Sequence, residues 1–354
     1  MPILLTVAEV EELVTPEACV EALAEAYREL GEGKAAFRPR SDLWSATGKP
    51  GGLYRLRTME GVSEALGLSS IRIGSDLVEY RREGTATLQR HVPGAPGARY
   101  VGLVLVFDLA TSELLMVTPD GGLSPLRVGS TSALAARFLA PRGSQTLALL
   151  GAGNQARGHL RAYASQFPLR EVRVHARRPE SARRFAEAMA DEVTPDLRPV
   201  DDLEAAVDGA DIVVCATNSL SPVLPPGLIR PGTFVSCIEW DELADATYER
   251  FDRVAVHLHD GTVRNHVAGV EPGVIEGLHR HEMGGWKDAL PELSALVAGT
   301  ATGRVSADET TCFVNNVGSG LQFTAVAKVL FDEARARGVG RELPSDWFSQ
   351  ELPS

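Results

Sequence analysis

The chain has 354 residues, 44% of them hydrophobic and 23% charged, which is ordinary for a globular protein and long enough for two domains. Its net charge of −12 disfavours nucleic acid or an anionic membrane surface as a partner. No apolar run approaches the about 20 residues needed to cross a bilayer, and the four cysteines lack metal-like or redox spacing, so we expect a cytoplasmic protein with reduced thiols.

The first third of the chain is predicted to form a mixed unit of one helix and several strands. The helix begins at Pro16, is capped by Thr15 and runs to residue 30. Residue propensity and alternation predict strands over residues 53–58, 69–73, 86–92, 100–107 and 113–117. Residues 108–112 join the last two strands as a hairpin, and a helix over 127–139 leads out of this unit.

A glycine turn near the middle of the chain is the most specific motif. It follows an apolar strand and comprises Gly151, Gly153, Asn154, Gln155 and Ala156. Gly151 permits the tight turn, Gly153 lets the backbone approach a pyrophosphate, and Ala156 allows helix and strand to pack closely. The helix N-terminus offers unpaired N–H groups to the anion. The motif predicts a dinucleotide site, and the alternative is an ordinary turn between a strand and a helix.

Strands and helices alternate downstream of the glycine turn. Strands are predicted over 171–175, 210–217, 233–238 and 253–257, with helices over 180–190 and 203–207. This alternation is typical of a Rossmann-type doubly wound parallel sheet. Arg177 and Arg178 follow the second strand, where an NAD-selective enzyme usually carries Asp or Glu. Two guanidinium groups there favour a 2′-phosphate and hence NADP(H); the alternatives are NAD(H) as cofactor and a solvated loop.

Several stretches of the chain resemble the ornithine cyclodeaminase and mu-crystallin family. They are Phe107-Asp108, Leu126-Arg127, 131–136, 151–156, 211–213 with 216–217, 230–233, 303–306 and 309–313. The glycine turn preceded by the Leu126-Arg127 helix is the fairly specific part. The resemblance implies a substrate-binding and dimerisation domain formed by residues 1–124 and 315–354, an NADP(H)-binding Rossmann domain over 125–314, and a homodimer.

The resemblance also implies residue roles. Family members bind the substrate carboxylate with basic residues, which correspond here to Arg40, Arg72 and Arg127. They place an aspartate beside the nicotinamide for proton transfer, which corresponds to Asp241, and Glu239 is its nearest rival. Most members carry a lysine where this chain has Arg72, and arginine clamps a carboxylate but cannot act as a base. The implied catalytic set is therefore Asp241 with Arg72 and Arg127.

Five further residues complete the predicted sites. Arg55 and Arg57 are two apart on a predicted strand, so they share one face and line the substrate pocket unless that face is solvated. The resemblance places Thr217, Asn218 and Asn316 beside the cofactor. No metal site is expected, because neither of the two His-x-His pairs has an identifiable third ligand.

Three functions are compatible with these features. The first is an NADP(H)-dependent oxidoreductase that transfers hydride to or from the C=N or C–N carbon of a small imino or amino acid. The second is an ornithine cyclodeaminase-like lyase that releases ammonia and recycles its cofactor. The third is a non-catalytic NADPH-dependent binding protein. Arg72 and the Arg177-Arg178 pair rank the first function above the second.

Overall fold

The computed structural model describes residues 1–47, 52–83, 86–219, 221–260, 263–269 and 284–351, and the strands in these ranges form two sheets. The helices are α1 Val7–Leu13, α2 Pro16–Glu32, α3 Leu123–Leu139, α4 Asn154–Gln166, α5 Pro179–Met189, α6 Leu203–Val207, α7 Asp245–Tyr248, α8 Leu293–Val297 and α9 Gly320–Arg337. The strands are β1 Ile3–Leu4, β2 Ala35–Phe37, β3 Ser41–Ala46, β4 Gly52–Ser63, β5 Leu68–Glu83, β6 Ala86–Val92, β7 Val101–Asp108, β8 Leu114–Pro119, β9 Thr146–Leu150, β10 Glu171–His175, β11 Asp196–Pro199, β12 Ile212–Cys215, β13 Phe234–Cys237, β14 Arg253–Val256, β15 Arg264–Ala268, β16 Thr311–Val314 and β17 Arg341–Glu342.

The smaller sheet is the predicted Rossmann-type parallel sheet. Its strand order is β11-β10-β9-β12-β13-β16-β14, and every neighbouring pair is parallel. The chain order reverses between β9 and β12, and a crevice for a ligand opens at the carboxyl ends of the strands where such a reversal occurs. The doubly wound prediction is confirmed, while β16, which separates β13 from β14, was not predicted as a strand.

The larger sheet is mainly antiparallel and has ten strands among the described residues. Its order is β15-β3-β4-β5-β7-β8-β1-β17, with β2 beside β4 and β6 beside β5. The strands predicted over 53–58 and 69–73 lie in the first halves of β4 and β5, which are 12 and 16 residues long. The range 125–314, assigned from the sequence to the nucleotide domain, includes β15, which instead pairs with β3 of this sheet.

Helices α2, α3 and α4 form a layer that connects the two sheets. α2, α3 and α4 contact one another, and α3 also contacts β13 and β16 of the parallel sheet. The returning helix α9 packs on β4, β5 and β7, and its buried Phe323 and Leu330 join the apolar core of the larger sheet. No helix within the described residues has the length and apolar character of a membrane span.

Candidate active site

The glycine turn lies at the reversal point of the parallel sheet. Gly151 has a φ of 121°, and a Cβ there would lie 2.3 Å from the carbonyl oxygen of Ala216, so only glycine fits between the ends of β9 and β12. Gly153 precedes α4 as its N-cap residue, and a Cβ at that position would meet no atom within 4 Å. The backbone of Gly153 is therefore open to a ligand.

The start of α4 has the features of an anion site. No side chain caps this helix, so its first N–H groups remain available to a ligand. Ala156 is fully buried, as its predicted packing role requires, and the buried Oε1 of Gln155 has no hydrogen-bond partner within the described ranges. A cleft of about 390 Å³ opens beside Gly153 and Asn154. These residues fit a dinucleotide whose pyrophosphate lies against the turn.

The loops after β12 and β13 are held together by one buried carboxylate. Glu242 accepts hydrogen bonds from Thr217 N at 2.8 Å and Thr217 Oγ1 at 2.6 Å, and also from Ile238 N at 2.9 Å. Burial raises the pKa of Glu242, and the hydrogen bonds from Thr217 oppose that shift. Sequence reasoning missed Glu242, although it immediately follows Asp241. It fixes the edge of the crevice on which Thr217 and Asn218 lie.

The remaining predicted cofactor residues have different environments. Arg177 and Arg178 are exposed directly after β10, and neither forms an ion pair within the part of the chain that the structure describes. Asn218 is exposed as well. Asn316 is buried, donates to Leu258 O at 2.9 Å and accepts from Leu258 N at 3.3 Å. Asn316 thus holds the loop before α9, and its contact with a cofactor stays a prediction.

A row of residues paired across four strands of the larger sheet underlies the predicted substrate-binding residues. Asp42 of β3 pairs with Arg57 of β4. Arg57 pairs in turn with Gly74 of β5, which pairs with Gly102 of β7. Directly opposed residues of antiparallel strands project from the same face. This face therefore carries two charged residues followed by two glycines, which leave space for larger side chains to lie across them.

Arg72 and Asp120 occupy the space above the two glycines. A Cβ on Gly74 would lie 2.8 Å from Cζ of Arg72, and one on Gly102 would lie 2.0 Å from Oδ1 of Asp120. The two side chains form an ion pair in which Nε and Nη2 of Arg72 lie 2.7 and 2.5 Å from Oδ2 of Asp120. Arg72 is only 7% exposed, and its buried Nη1 has no hydrogen-bond partner among the described residues.

Two more aspartates hold the arginines of β4 and of the segment before β3. Arg40 donates to both oxygens of Asp42, with Nε 2.8 Å from Oδ1. Arg55 and Arg57 both reach Oδ2 of Asp76, at 3.0 and 2.5 Å. Burial alone would raise the pKa of Asp76, but its hydrogen bond to a histidine and the adjacent arginines hold that pKa well below the ordinary range. Both aspartates are therefore anionic partners of the arginines.

The predicted substrate arginines differ in accessibility. Arg55 is 1% exposed and lies 5.0 Å from the centroid of the Trp44 ring, so it braces the sheet beneath the site. The side chains of Arg40 and Arg57 retain 15% and 16% exposure. Sequence reasoning found the arginines by type and missed Asp42, Asp76 and Asp120. The two-residue spacing from Arg40 to Asp42 was an available signal for Asp42 alone.

Arg127 approaches the arginine cluster from α3. Its Nη1 donates to Oε1 of Gln322 on α9, and its Cζ lies 5.0 Å from the ring centroid of Phe323. Burial, and next the positive charge of Arg72, lower the pKa of Arg127 to about 9. Its buried Nε has no hydrogen-bond partner in the part of the chain that the structure describes. We define the arginine cluster as these five residues: Arg40, Arg55, Arg57, Arg72 and Arg127.

The two acids considered for proton transfer lie at the end of β13. Asp241 belongs to the short 3-10 helix Trp240–Glu242 that follows this strand, and it is half-buried. Burial, and next the charge of Glu242, raise the pKa of Glu239 to about 8, while Arg40 opposes the shift. Glu239 consequently retains its proton at neutral pH.

One histidine of the predicted His-x-His pairs has a structural role. Nδ1 of His257 lies 2.5 Å from the carbonyl oxygen of Val317, and its Nε2 is hydrogen-bonded to Oη of Tyr27. Burial lowers the pKa of His257 to about 3, so the ring is neutral. Both nitrogens are occupied, and the described residues contain no group of three or more side chains arranged to bind a metal. The second pair, His279 and His281, lies outside the described residues.

Comparison with known proteins places these features in a family. The family model described as "Ornithine cyclodeaminase/mu-crystallin family" matches residues 1–338. A ketimine reductase mu-crystallin of Rattus norvegicus is 35% identical over 147 residues, which are 40% of this chain and 46% of that protein. The match thus spans about half the length of this relative.

Two further similarities extend over most of the chain. A Delta(1)-pyrroline-2-carboxylate reductase of Bacillus cereus is 26% identical over 290 residues, covering 80% of this chain and 83% of that protein. The solved structure of a Thermococcus litoralis Delta(1)-pyrroline-2-carboxylate reductase with NADH and L-proline aligns with a TM-score of 0.76 at 24% identity. That alignment covers 96% of this chain and 100% of the other, and it shows that the two folds are the same.

Proposed function

Because the chain belongs to the ornithine cyclodeaminase/mu-crystallin family, we propose that it is an NADP(H)-dependent oxidoreductase that transfers hydride to the C=N carbon of a small imino acid. The observation that carries this proposal is the arginine cluster beside the crevice. Its buried atoms Arg57 Nε, Arg72 Nη1 and Arg127 Nε have no hydrogen-bond partner in the described part of the chain. Buried donors without partners are costly unless a ligand satisfies them, and a carboxylate does so.

The glycine turn and its neighbours would hold the cofactor. The open backbone of Gly153 and the uncapped start of α4 suit the pyrophosphate. Arg177 and Arg178, exposed at the end of β10, are free to bind a 2′-phosphate, which supports NADP(H) rather than NAD(H). When bound, the nicotinamide supplies a hydride. One solved relative is described in complex with NADH, which supports a nicotinamide cofactor.

The reduction also requires one proton, because the imine nitrogen becomes an amine when its carbon accepts hydride. We assign the proton transfer to Asp241, with Glu239 as the competing donor because its raised pKa keeps it protonated at neutral pH. Arg72 and Arg127 contribute by orienting the substrate carboxylate. A guanidinium group retains its proton, so neither arginine is a candidate base.

We also propose that the protein is a homodimer assembled through the outer face of its larger sheet. This face, opposite to the arginine cluster, exposes large apolar side chains. Leu43, Val101 and Leu103 are 48%, 45% and 37% exposed. Exposed apolar sheet faces of this kind are usually covered by a partner. The substrate and dimerisation domain would comprise residues 1–124 and 315–354, and the nucleotide domain would comprise residues 125–314. β15 is the exception, because it lies within 125–314 but pairs with β3 of the first domain.

A single assay tests the proposed reaction. The purified protein is incubated with NADPH or NADH and a panel of cyclic imines, and of 2-oxo acids with ammonia, while the absorbance of the reduced nicotinamide is followed. We expect oxidation of NADPH that requires the imine and stops when ammonia is omitted from the 2-oxo acid mixtures. Release of ammonia from ornithine with catalytic amounts of NAD(P)⁺ would replace the reductase assignment by a cyclodeaminase, and binding of NADPH without turnover would indicate a binding protein.

A further inference from the structure

Arg127 is held differently from the other four arginines of the cluster. Each of those four is bonded to an aspartate, whereas Arg127 forms no ion pair within the part of the chain that the structure describes. Its hydrogen-bond partner is the neutral amide of Gln322 at the start of α9. Asp120 attracts it only at longer range, because that carboxylate is bonded to Arg72. A neutral partner therefore holds the Arg127 guanidinium, whose pKa of about 9 leaves it charged at neutral pH.

The amide of Gln322 is itself fixed at both of its polar atoms. Its Oε1 accepts from Nη1 of Arg127 and from Ser319 N at 3.1 Å, and its Nε2 donates to Thr131 Oγ1 at 2.8 Å. Thr131 Oγ1 donates in turn to the carbonyl oxygen of Arg127 at 2.8 Å, which closes a ring of hydrogen bonds. Turning the amide over would set its N–H groups against the N–H donors of Arg127 and Ser319. The ring therefore permits one orientation of the fully buried Gln322.

Two further residues near the start of α9 limit where the Arg127 guanidinium can lie. A Cβ on Gly318 would lie 2.7 Å from its Nη1, so the group rests against the backbone of the loop before α9. The ring centroid of the fully buried Phe323 lies 5.0 Å from Cζ of Arg127 and 5.8 Å from Cζ of Arg72, so one ring contacts both guanidinium groups. Among the described atoms, the buried Nε of Arg127 keeps no partner. Gly318, Gln322 and Phe323 thus hold a cation that still has an N–H to donate.

We propose that Gln322 is a positioning residue that orients the Arg127 guanidinium for the substrate carboxylate and leaves its positive charge for that carboxylate. This inference rests on the proposed function, in which Arg127 binds the substrate. An amide oxygen accepts a hydrogen bond without neutralising the donor. A carboxylate in the same place would form an ion pair with Arg127 and compete with the substrate. The neutral amide at position 322 therefore determines how tightly the substrate is held.

Gln322→Glu tests this role because it adds a charge with little change of shape. The Thr131 hydroxyl can rotate to donate to the new carboxylate, so the fold is retained. The carboxylate should pair with Arg127 and raise KM for the imine at least about tenfold. We expect kcat to stay within about threefold and Kd for NADPH to stay the same, because the cofactor and the proton donor are untouched. A purely structural role predicts that imine and NADPH binding decline together as the protein loses stability.

Two further variants make the test specific. Gln166→Glu is the matched control, because Gln166 accepts a hydrogen bond from Nε of Arg137 at 2.8 Å outside the arginine cluster, and it should keep the KM of the unmutated protein. Gln322→Met removes the hydrogen bonds of the amide without adding a charge. It should destabilise the fold more than Gln322→Glu in urea unfolding, yet raise KM less. An unchanged KM in folded Gln322→Glu, or a KM that follows the loss of stability across the two variants, would overturn the proposal.

A binding measurement separates this inference from the proposed reaction. Calorimetric titration in the presence of NADP⁺ compares pyrrole-2-carboxylate with pyrrole-2-carboxamide, two flat rings without a reducible C=N bond, of which only the first is charged. Gln322→Glu should weaken the carboxylate at least about tenfold and the carboxamide by less than about twofold. If no imine is reduced, the proposed function fails, and this selective loss would still support the positioning role. Equal losses for the two ligands, or no loss for the carboxylate, would overturn it whether or not an imine is reduced.

Discussion

Replacing Gly153 by alanine would separate cofactor binding from folding. The φ of this residue is −107°, and the added Cβ would meet no atom of the described residues within 4 Å, so the fold accepts the methyl group. Alanine is a poorer N-cap than glycine, which costs about 1 kcal/mol of stability. A pyrophosphate lying against this backbone would collide with the methyl group. We expect a loss of about 2 kcal/mol in NADPH binding, or roughly 30-fold in Kd.

Gly151→Ala serves as the contrasting variant. Its Cβ would lie 2.3 Å from the Ala216 carbonyl oxygen at a φ of 121°, so β9 and β12 would have to separate. It should lose about 3 kcal/mol or more of unfolding free energy together with NADPH binding. Fluorescence titration with NADPH and urea unfolding measure the two effects. If Gly153→Ala binds NADPH as tightly as the unmutated protein, the pyrophosphate does not lie on this turn and our placement of the cofactor is wrong.

The other predictions concern selectivity, catalysis, pH and assembly. Arg177→Ala combined with Arg178→Ala should weaken NADPH at least about tenfold and leave NADH affinity unchanged in the same titration. Asp241→Asn should retain NADPH binding but lower imine turnover roughly 10²–10⁴-fold; a larger loss in Glu239→Gln would transfer the proton-donor role to Glu239. Between its ordinary pKa of 4.5 and about 8, Glu239 holds a proton in the folded state that the unfolded chain has released. Stability should therefore fall as pH rises through this window, and urea unfolding of Glu239→Gln should show a flatter pH dependence. Leu103→Lys should convert a sedimenting dimer to a monomer, and a monomeric unmutated protein would contradict the proposed interface.

The sequence predicted those helices and strands whose own residues carry a recognisable pattern of hydrophobicity, turns or caps. β9 and β10 are apolar or alternating runs bounded by turn residues, and α2 begins with a threonine cap and a proline. β16 was missed because it has four residues, and its strand identity depends on β13 and β14 on either side. Tertiary pairing, which a sequence window does not contain, determines that strand.

β3 and β15 show a second reason for failure. In β3 the buried face carries Asp42 beside Trp44, so the alternation of buried and exposed residues does not coincide with an alternation of apolar and polar ones. Its partner β15 is more than 200 residues away and is mostly exposed. A buried carboxylate is stable there only because Arg40 and Arg55 lie next to it.

The sequence predicted which residue types form the candidate site, but it did not predict which arginine pairs with which aspartate. The basic character of the candidate site follows from arginines that the sequence displays. Which aspartate each arginine meets depends on the register of β3, β4 and β5, and Asp120 reaches its position from beyond β8. Arg55 illustrates the consequence: it shares a face with Arg57 as expected, yet it is fully buried between Asp42 and Asp76.

Arg72, which the resemblance places where most family members carry a lysine, is accommodated by its surroundings. Glycines at 74 and 102 leave room for a planar guanidinium and for the Asp120 carboxylate that fixes it. A lysine can exchange a proton in a reaction step, whereas an arginine holds its proton and binds carboxylates in a fixed orientation. A cyclisation that needs a base at this position is therefore disfavoured. Imine reduction needs only an oriented carboxylate here and one proton, which are the roles we propose for Arg72 and for the acids after β13.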